Sequence, residues 1–239
     1  MFKVNLIKNC VLIALVSLGN TSFAQKSWET IDSAATVSSD TIKKGKNILV
    51  FINQSKSFSV EVKDRLIDVF FKVYPKEVKT YNKSSIRKVI FIIDPGYDGV
   101  AATSGDIVRF NPEWFRKNPG DVDVVTHEVM HIVQSYPGGA GPGWITEGIA
   151  DYVRLTMGVD NKGANWKVPE YTDKQSYTDA YRVTARFLYW LEKNKDKGLV
   201  KKLDHAMRSK KYTEDFWVKN TGKTVDQLWD EYSKKPAIG

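Results

Sequence analysis

Two of the chain's three histidines, His127 and His131, lie four residues apart in the stretch THEVMH, with Glu128 directly after the first. Residues at this spacing share one face of an α-helix, so both imidazoles can aim a nitrogen at one point. Zinc in a catalytic centre takes three protein ligands and leaves its fourth position to water, which Glu128 would flank as general base. The competing reading is an ordinary helix that happens to carry HExxH, a coincidence made rare by so few histidines.

A third ligand has a source downstream in WITEGIADY, where Glu147 and Asp151 are again four apart. One carboxylate on the metal and one on the back nitrogen of a ligand histidine is a common division, because the outer carboxylate fixes tautomer and basicity. We assign Glu147 to the metal and Asp151 to His127, with the reverse assignment as the alternative. The segment between them, SYPGGAGPGW, is rich in glycine and proline, and is expected to turn the second helix back beneath the first. A phosphate-cradling loop would need a strand before it and Lys-Ser/Thr after it, and neither is present.

The elements that position these residues follow from apolar periodicity. Short β-branched runs at 47–54 and 88–95 predict buried strands, and the helical spacing of Val62, Leu66, Val69, Phe70 and Val73 predicts a helix over 60–74 that stops at Pro75. A third strand between Asp106 and Phe110 alternates loosely and is placed at the sheet edge. Helices are expected over 121–134, 145–157, 177–194, 198–209 and 225–232. The fold class is therefore α+β: a small mixed sheet lobe with its edge strand and active-site helix (47–135), then a mainly helical lobe (136–239), together one domain.

Residues 1–24 read as a secretory signal, with Lys3 and Lys8, an apolar run too short for stable membrane insertion, and Ser22-Phe23-Ala24 before Gln25. The expected location is secreted or periplasmic, and a polar flexible leader is expected over 25–46. The lone cysteine, Cys10, falls inside the signal, which excludes disulfides and thiol catalysis from the remainder. The net charge of +8 gathers in short lysine runs, which read as solvated helix faces. No nucleic-acid-binding motif accompanies them, so no nucleic-acid partner is expected, and the chain is expected to be a monomer.

The stretches HEVMHIVQ, GWITEGIADYVRL, AYRVTARFLYWLE, GLVKKLDHAMR and GKTVDQLWDEY resemble the basic secretory protein family of zinc peptidases from plants and bacteria, over roughly 46–232. The set His127, His131 and Glu147 with Asp151 also resembles gluzincins such as thermolysin. These resemblances imply a zincin-like fold, Zn2+ as cofactor and Glu128 as base. The connection from His131 to Glu147 is shorter than in thermolysin-like enzymes, so substrate subsites are not carried over.

The function expected is a secreted zinc-dependent metallopeptidase acting on peptides or proteins. The alternative is a secreted glycan- or cell-wall-binding protein with a structural zinc, although such a site would close its fourth position and leave Glu128 without use. The developing oxyanion calls for a second electrophile. Tyr181, which opens the YRVTARF helix singled out by the resemblance, is the first candidate and Tyr177 the second, against a packing role for either. His205, among lysines, reads as a surface residue. Trp144 and Trp166 are candidates to line the cleft, and the edge strand at 106–110 to hold an extended substrate.

Overall fold

In chain order the elements are β1 (Ser38–Lys44), β2 (Asn47–Asn53), α1 (Val60–Thr80), β3 (Lys88–Ile93), β4 (Ala101–Ser104), β5 (Ile107–Phe110), α2 (Pro112–Lys117), α3 (Val124–Gln134), α4 (Gly143–Met157), a single 3-10 turn (Tyr177–Asp179), α5 (Tyr181–Asn194), α6 (Leu199–Arg208), α7 (Asp215–Thr221) and α8 (Val225–Lys234). All belong to one unit, Ile31–Gly239. The computed structural model describes Trp28 and residues 30–238, so the segment read as a secretory signal lies outside the described residues. Among the described residues, no helix is long and apolar enough to cross a membrane.

The five strands form one mixed sheet in the order β1-β2-β3-β5-β4. Strands β2, β3 and β5 run parallel, and β1 and β4 pair antiparallel at the two edges. A parallel pair needs a crossover, and α1 supplies it between β2 and β3, as the strand-helix-strand pattern predicts. On one face of the sheet, Phe51, Phe91 and Phe110 form an aromatic file capped by Phe70 of α1. Ring centroids are 5.0 Å apart for Phe91–Phe110 and 5.4 Å for Phe70–Phe91, both edge-on.

Four expectations need correction. The strand at 106–110 is not at the edge: β4 lies outside it, and all four residues of β5 are buried. Arg109 breaks the apolar pattern of β5 because it pairs with Asp94 at 2.6 Å. The true edge, AATS, has side chains too small and too exposed to leave a hydrophobic signal. The leader expected over 25–46 contains β1, a strand that is exposed except at Ile42 and forms by backbone pairing along seven registered residues.

The first helix runs through Pro75 to Thr80, although proline removes one backbone bond, because the turn beyond it buries Val78 against the core. The helix expected over 177–194 is broken at Ala180, with a 3-10 turn before the break and α5 after it. The short helices α2 and α7 are too brief for periodicity to reveal.

Packed between sheet and helical lobe, α3 is buried all round except at His131. Against it lies α1, whose Glu77 is fully buried with neither carboxylate oxygen hydrogen-bonded. Burial, partly offset by the His127 charge, raises the Glu77 pKa well above its ordinary 4.5. A raised acid binds more protons folded than unfolded, so its contribution to stability falls as pH rises above about 4.5. Glu77→Met should therefore raise folding stability by about 1–3 kcal/mol near neutral pH. It should also reduce the loss of stability on going alkaline, as measured by urea denaturation across a pH series.

Candidate metal centre

Helices α3 and α4 bring three side chains to one point. His127 Nε2 lies 3.1 Å from His131 Nε2, and Glu147 Oε2 lies 3.2 Å from the first nitrogen and 3.5 Å from the second. Among the described residues, this is the group of three or more such side chains able to hold a metal ion.

The opposite nitrogen of each ring is held from behind. His127 Nδ1 meets Asp151 Oδ1 at 2.7 Å, and His131 Nδ1 meets Gln134 Oε1 at 2.8 Å. The Gln134 amide nitrogen donates to the Thr146 carbonyl at 2.9 Å, so its oxygen must be the atom that faces His131. Both Nδ1 atoms are therefore donors, and both Nε2 atoms carry lone pairs directed at each other and at a carboxylate. Three lone pairs this close require a shared cation or proton. Tetrahedral zinc with arms of about 2.0–2.1 Å would set ligand atoms about 3.3–3.4 Å apart, close to the spacing here.

A proton shows the same demand. Burial alone would lower the His127 pKa, but hydrogen bonds that the ring donates to Asp151 and Glu147, with the nearby carboxylate charge, outweigh it and raise the pKa to about 10. Burial would raise Glu147, but its bonds to His127 and His131, with their charges, hold it well below the usual carboxylate range.

Glu128 is not one of this trio but lines the same cavity of about 480 Å³. The Thr103 hydroxyl, on β4, donates to Glu128 Oε2 at 2.6 Å and lies 3.0 Å from the Glu128 main-chain oxygen. The edge strand thus fixes the acid's orientation. Neither Thr103 nor Gln134 stands out in the sequence, because their roles arise from contacts across elements or from a polar residue at a helix end.

Tyr181 stacks on His127 with ring centroids 6.1 Å apart and planes 15° apart, and it remains 54% exposed. The Glu147 charge, then partial burial, raises its pKa. Its placement depends on two consecutive residues with positive φ, Ala180 at 62° and Tyr181 at 46°. For non-glycine residues this is a strained backbone. The strain is held by the Thr184 hydroxyl, which donates to the Tyr177 carbonyl at 2.6 Å, and by close packing of α5 on α4. That approach is possible because Gly148 has no side chain: a Cβ there would fall 2.2 Å from Thr184 Cγ2.

Tyr177, the second candidate for an oxyanion donor, is placed elsewhere. Its hydroxyl donates to Asp226 at 2.7 Å, and its ring packs on Trp144, Phe187 and Trp229. Trp144 stacks on Trp217, whereas Trp166 does line a cavity beside the centre. His205 is exposed on α6. A tyrosine not singled out from sequence, Tyr97, also lines the central cavity and donates to the Ala101 carbonyl at 3.1 Å.

Gln134→Leu should weaken uptake of a divalent cation about 10–100-fold with little change in fold, as read by competition with a chromophoric chelator. In chelator, the stability that His127 contributes is full below its unfolded pKa near 6.5 and is lost as pH rises toward 10. The Tm in chelator should fall across that window, and a bound divalent cation should flatten the fall.

Among curated proteins no relative matches. Among solved structures, aminopeptidase A of Legionella pneumophila, in complex with aspartic acid, matches with a TM-score of 0.54 and 15% identity, over 81% of this chain and 27% of its own. The M1 zinc metallopeptidase of Deinococcus radiodurans matches with a TM-score of 0.46 and 10% identity, over 84% and 52%. The chain thus spans only about a quarter to a half of the length of these enzymes. The Legionella likeness shows the fold, which is α+β and zincin-like, as the sequence resemblance implied. A family model described as "Peptidase of plants and bacteria" matches residues 33–232, and the chain belongs to that peptidase family.

Proposed function

We propose that the chain is a zinc-dependent peptidase in which His127, His131 and Glu147 hold the ion and Glu128 is the general base. The observation that carries this reading is the convergence of three lone pairs beside an acid that is not one of the three. When bound, zinc would supply Lewis acidity for a scissile carbonyl and for an attacking water. Glu128, with one oxygen held by Thr103, uses the other to take a proton from that water and then delivers it to the leaving amine. The Tyr181 hydroxyl donates to the oxyanion. Asp151 and Gln134 keep both imidazoles in the tautomer that leaves Nε2 free.

An extended substrate pairs with the outer edge of β4, not with the strand at 106–110. Three of the residues of β4, Ala101, Ala102 and Thr103, line the cavity that Glu128 opens on. Action outside the cytoplasm belongs to the same reading and rests on the composition of 1–24.

The test combines metal content with cleavage of a mixed peptide library. About one zinc per chain is expected in the wild type and in Glu128→Gln, and its loss in Glu147→Ala. Cleavage should be chelator-sensitive. Glu128→Gln should lower kcat by about 10²–10⁴-fold, and Tyr181→Phe by about 10²–10³-fold with KM little changed. A wild-type chain that binds zinc yet cleaves no peptide would refute the proposal.

A further inference from the structure

A second cavity, of about 650 Å³, opens beside the metal centre. The two share Ala101, His127, Glu128 and Tyr181 in their linings, so the second begins where the scissile bond would lie. Its lining includes two indoles, Trp114 and Trp166, the aliphatic Val100 and Val124, and the polar Asn165 and Arg182.

The walls are fixed in place. The Trp114 indole nitrogen donates to Asp121 Oδ2 at 2.8 Å, and the other Asp121 oxygen is bound by the Arg154 guanidinium. Arg154 lies under the Trp166 ring, 4.6 Å from its centroid, and its Nε donates to Asn161. The loop that carries Trp166 is anchored by buried Asp123, which accepts the backbone N–H groups of Val159 and Asp160. It also passes so near Gly120 that a Cβ there would meet the Gly163 carbonyl at 2.3 Å. A pocket held by buried ion pairs and capped backbone groups is formed before any ligand arrives.

Its chemistry selects among side chains. Apart from Glu128, whose second oxygen the reading above assigns to the attacking water, the carboxylates of the lining are engaged: both Asp121 oxygens, and Asp151 by His127. An anion would find the Arg154 charge already neutralised by Asp121, and the other arginine of the lining, Arg182, exposed to solvent that screens it. Two indoles, one of them stacked on the Arg154 guanidinium, favour a flat ring, which packs offset or edge-on against them and brings about 150–250 Å² of surface to bury.

We infer that this cavity is a specificity pocket for an aromatic side chain, phenylalanine or tyrosine, on a residue flanking the scissile bond. The inference rests on the peptidase reading above and adds a substrate class to it.

The experiment profiles the residues on either side of each cut made in a peptide library by the zinc-loaded wild type, Trp166→Ala and Trp166→Phe. In parallel, indole N–H resonances are followed by NMR as N-acetylphenylalanine amide or N-acetylalanine amide is added. At one flanking position the wild type should favour aromatic over alanine by tenfold or more in kcat/KM. Trp166→Ala should bring that ratio close to one, and Trp166→Phe should restore most of it. The phenylalanine amide alone should shift the Trp114 and Trp166 signals.

Cleavage without aromatic preference, or a preference that survives Trp166→Ala, overturns the pocket and leaves the peptidase reading intact. If no peptide is cut, the peptidase reading fails and the indole signals decide the pocket: a response of both supports it, and silence overturns it. Should Trp166→Ala fail to fold, the wild-type profile, Trp166→Phe and the NMR titration still decide.

Discussion

The centre depends on what lies behind each imidazole. A histidine is a ligand only through a nitrogen that carries no proton, and a buried imidazole keeps its proton wherever an acceptor waits. Asp151 and the Gln134 amide oxygen are those acceptors, and they leave both Nε2 lone pairs pointing inward. Both acceptors tie α3 to α4: Asp151 stands one turn beyond Glu147, and Gln134 is held by the carbonyl of Thr146, the residue before Glu147. The same hydrogen bonds that set the tautomers thus set the distance between the two helices that carry the candidate ligands.

Other features can be understood as support for that geometry. The edge strand β4 reaches Glu128 through Thr103 and fixes one oxygen of the acid at the cavity it lines. The α4–α5 contact is closed by the absence of a side chain at Gly148, next to Glu147, and this carries Tyr181 over His127. The strained turn at Ala180 and Tyr181 is unfavourable by itself, and strain of this kind persists where surrounding packing over-determines the backbone. Buried charge is unfavourable as well, yet Asp121 and Arg154 neutralise one another where the second cavity meets the protein core.

The sequence by itself determined what local spacing can encode. His127, Glu128 and His131 were legible because one helical turn places them, and Glu147 with Asp151 for the same reason on the next helix. The β2-α1-β3 unit was legible because buried parallel strands are continuous apolar runs, and the family resemblance was carried by the stretch from His127 to Gln134 and by the helical stretches after it. Tertiary structure alone decided which strand lies at the edge, because Ala101–Ser104 is held by backbone pairing and its side chains carry no hydrophobic signal. It also separated Tyr181 from Tyr177, which are equivalent in sequence pattern until the positive φ at Ala180 turns one toward the centre and leaves the other bonded to Asp226. Thr103, Gln134 and Trp114 came into view only with the fold, because each acts through a neighbour distant in sequence or a cavity, and no period along the chain records such a meeting.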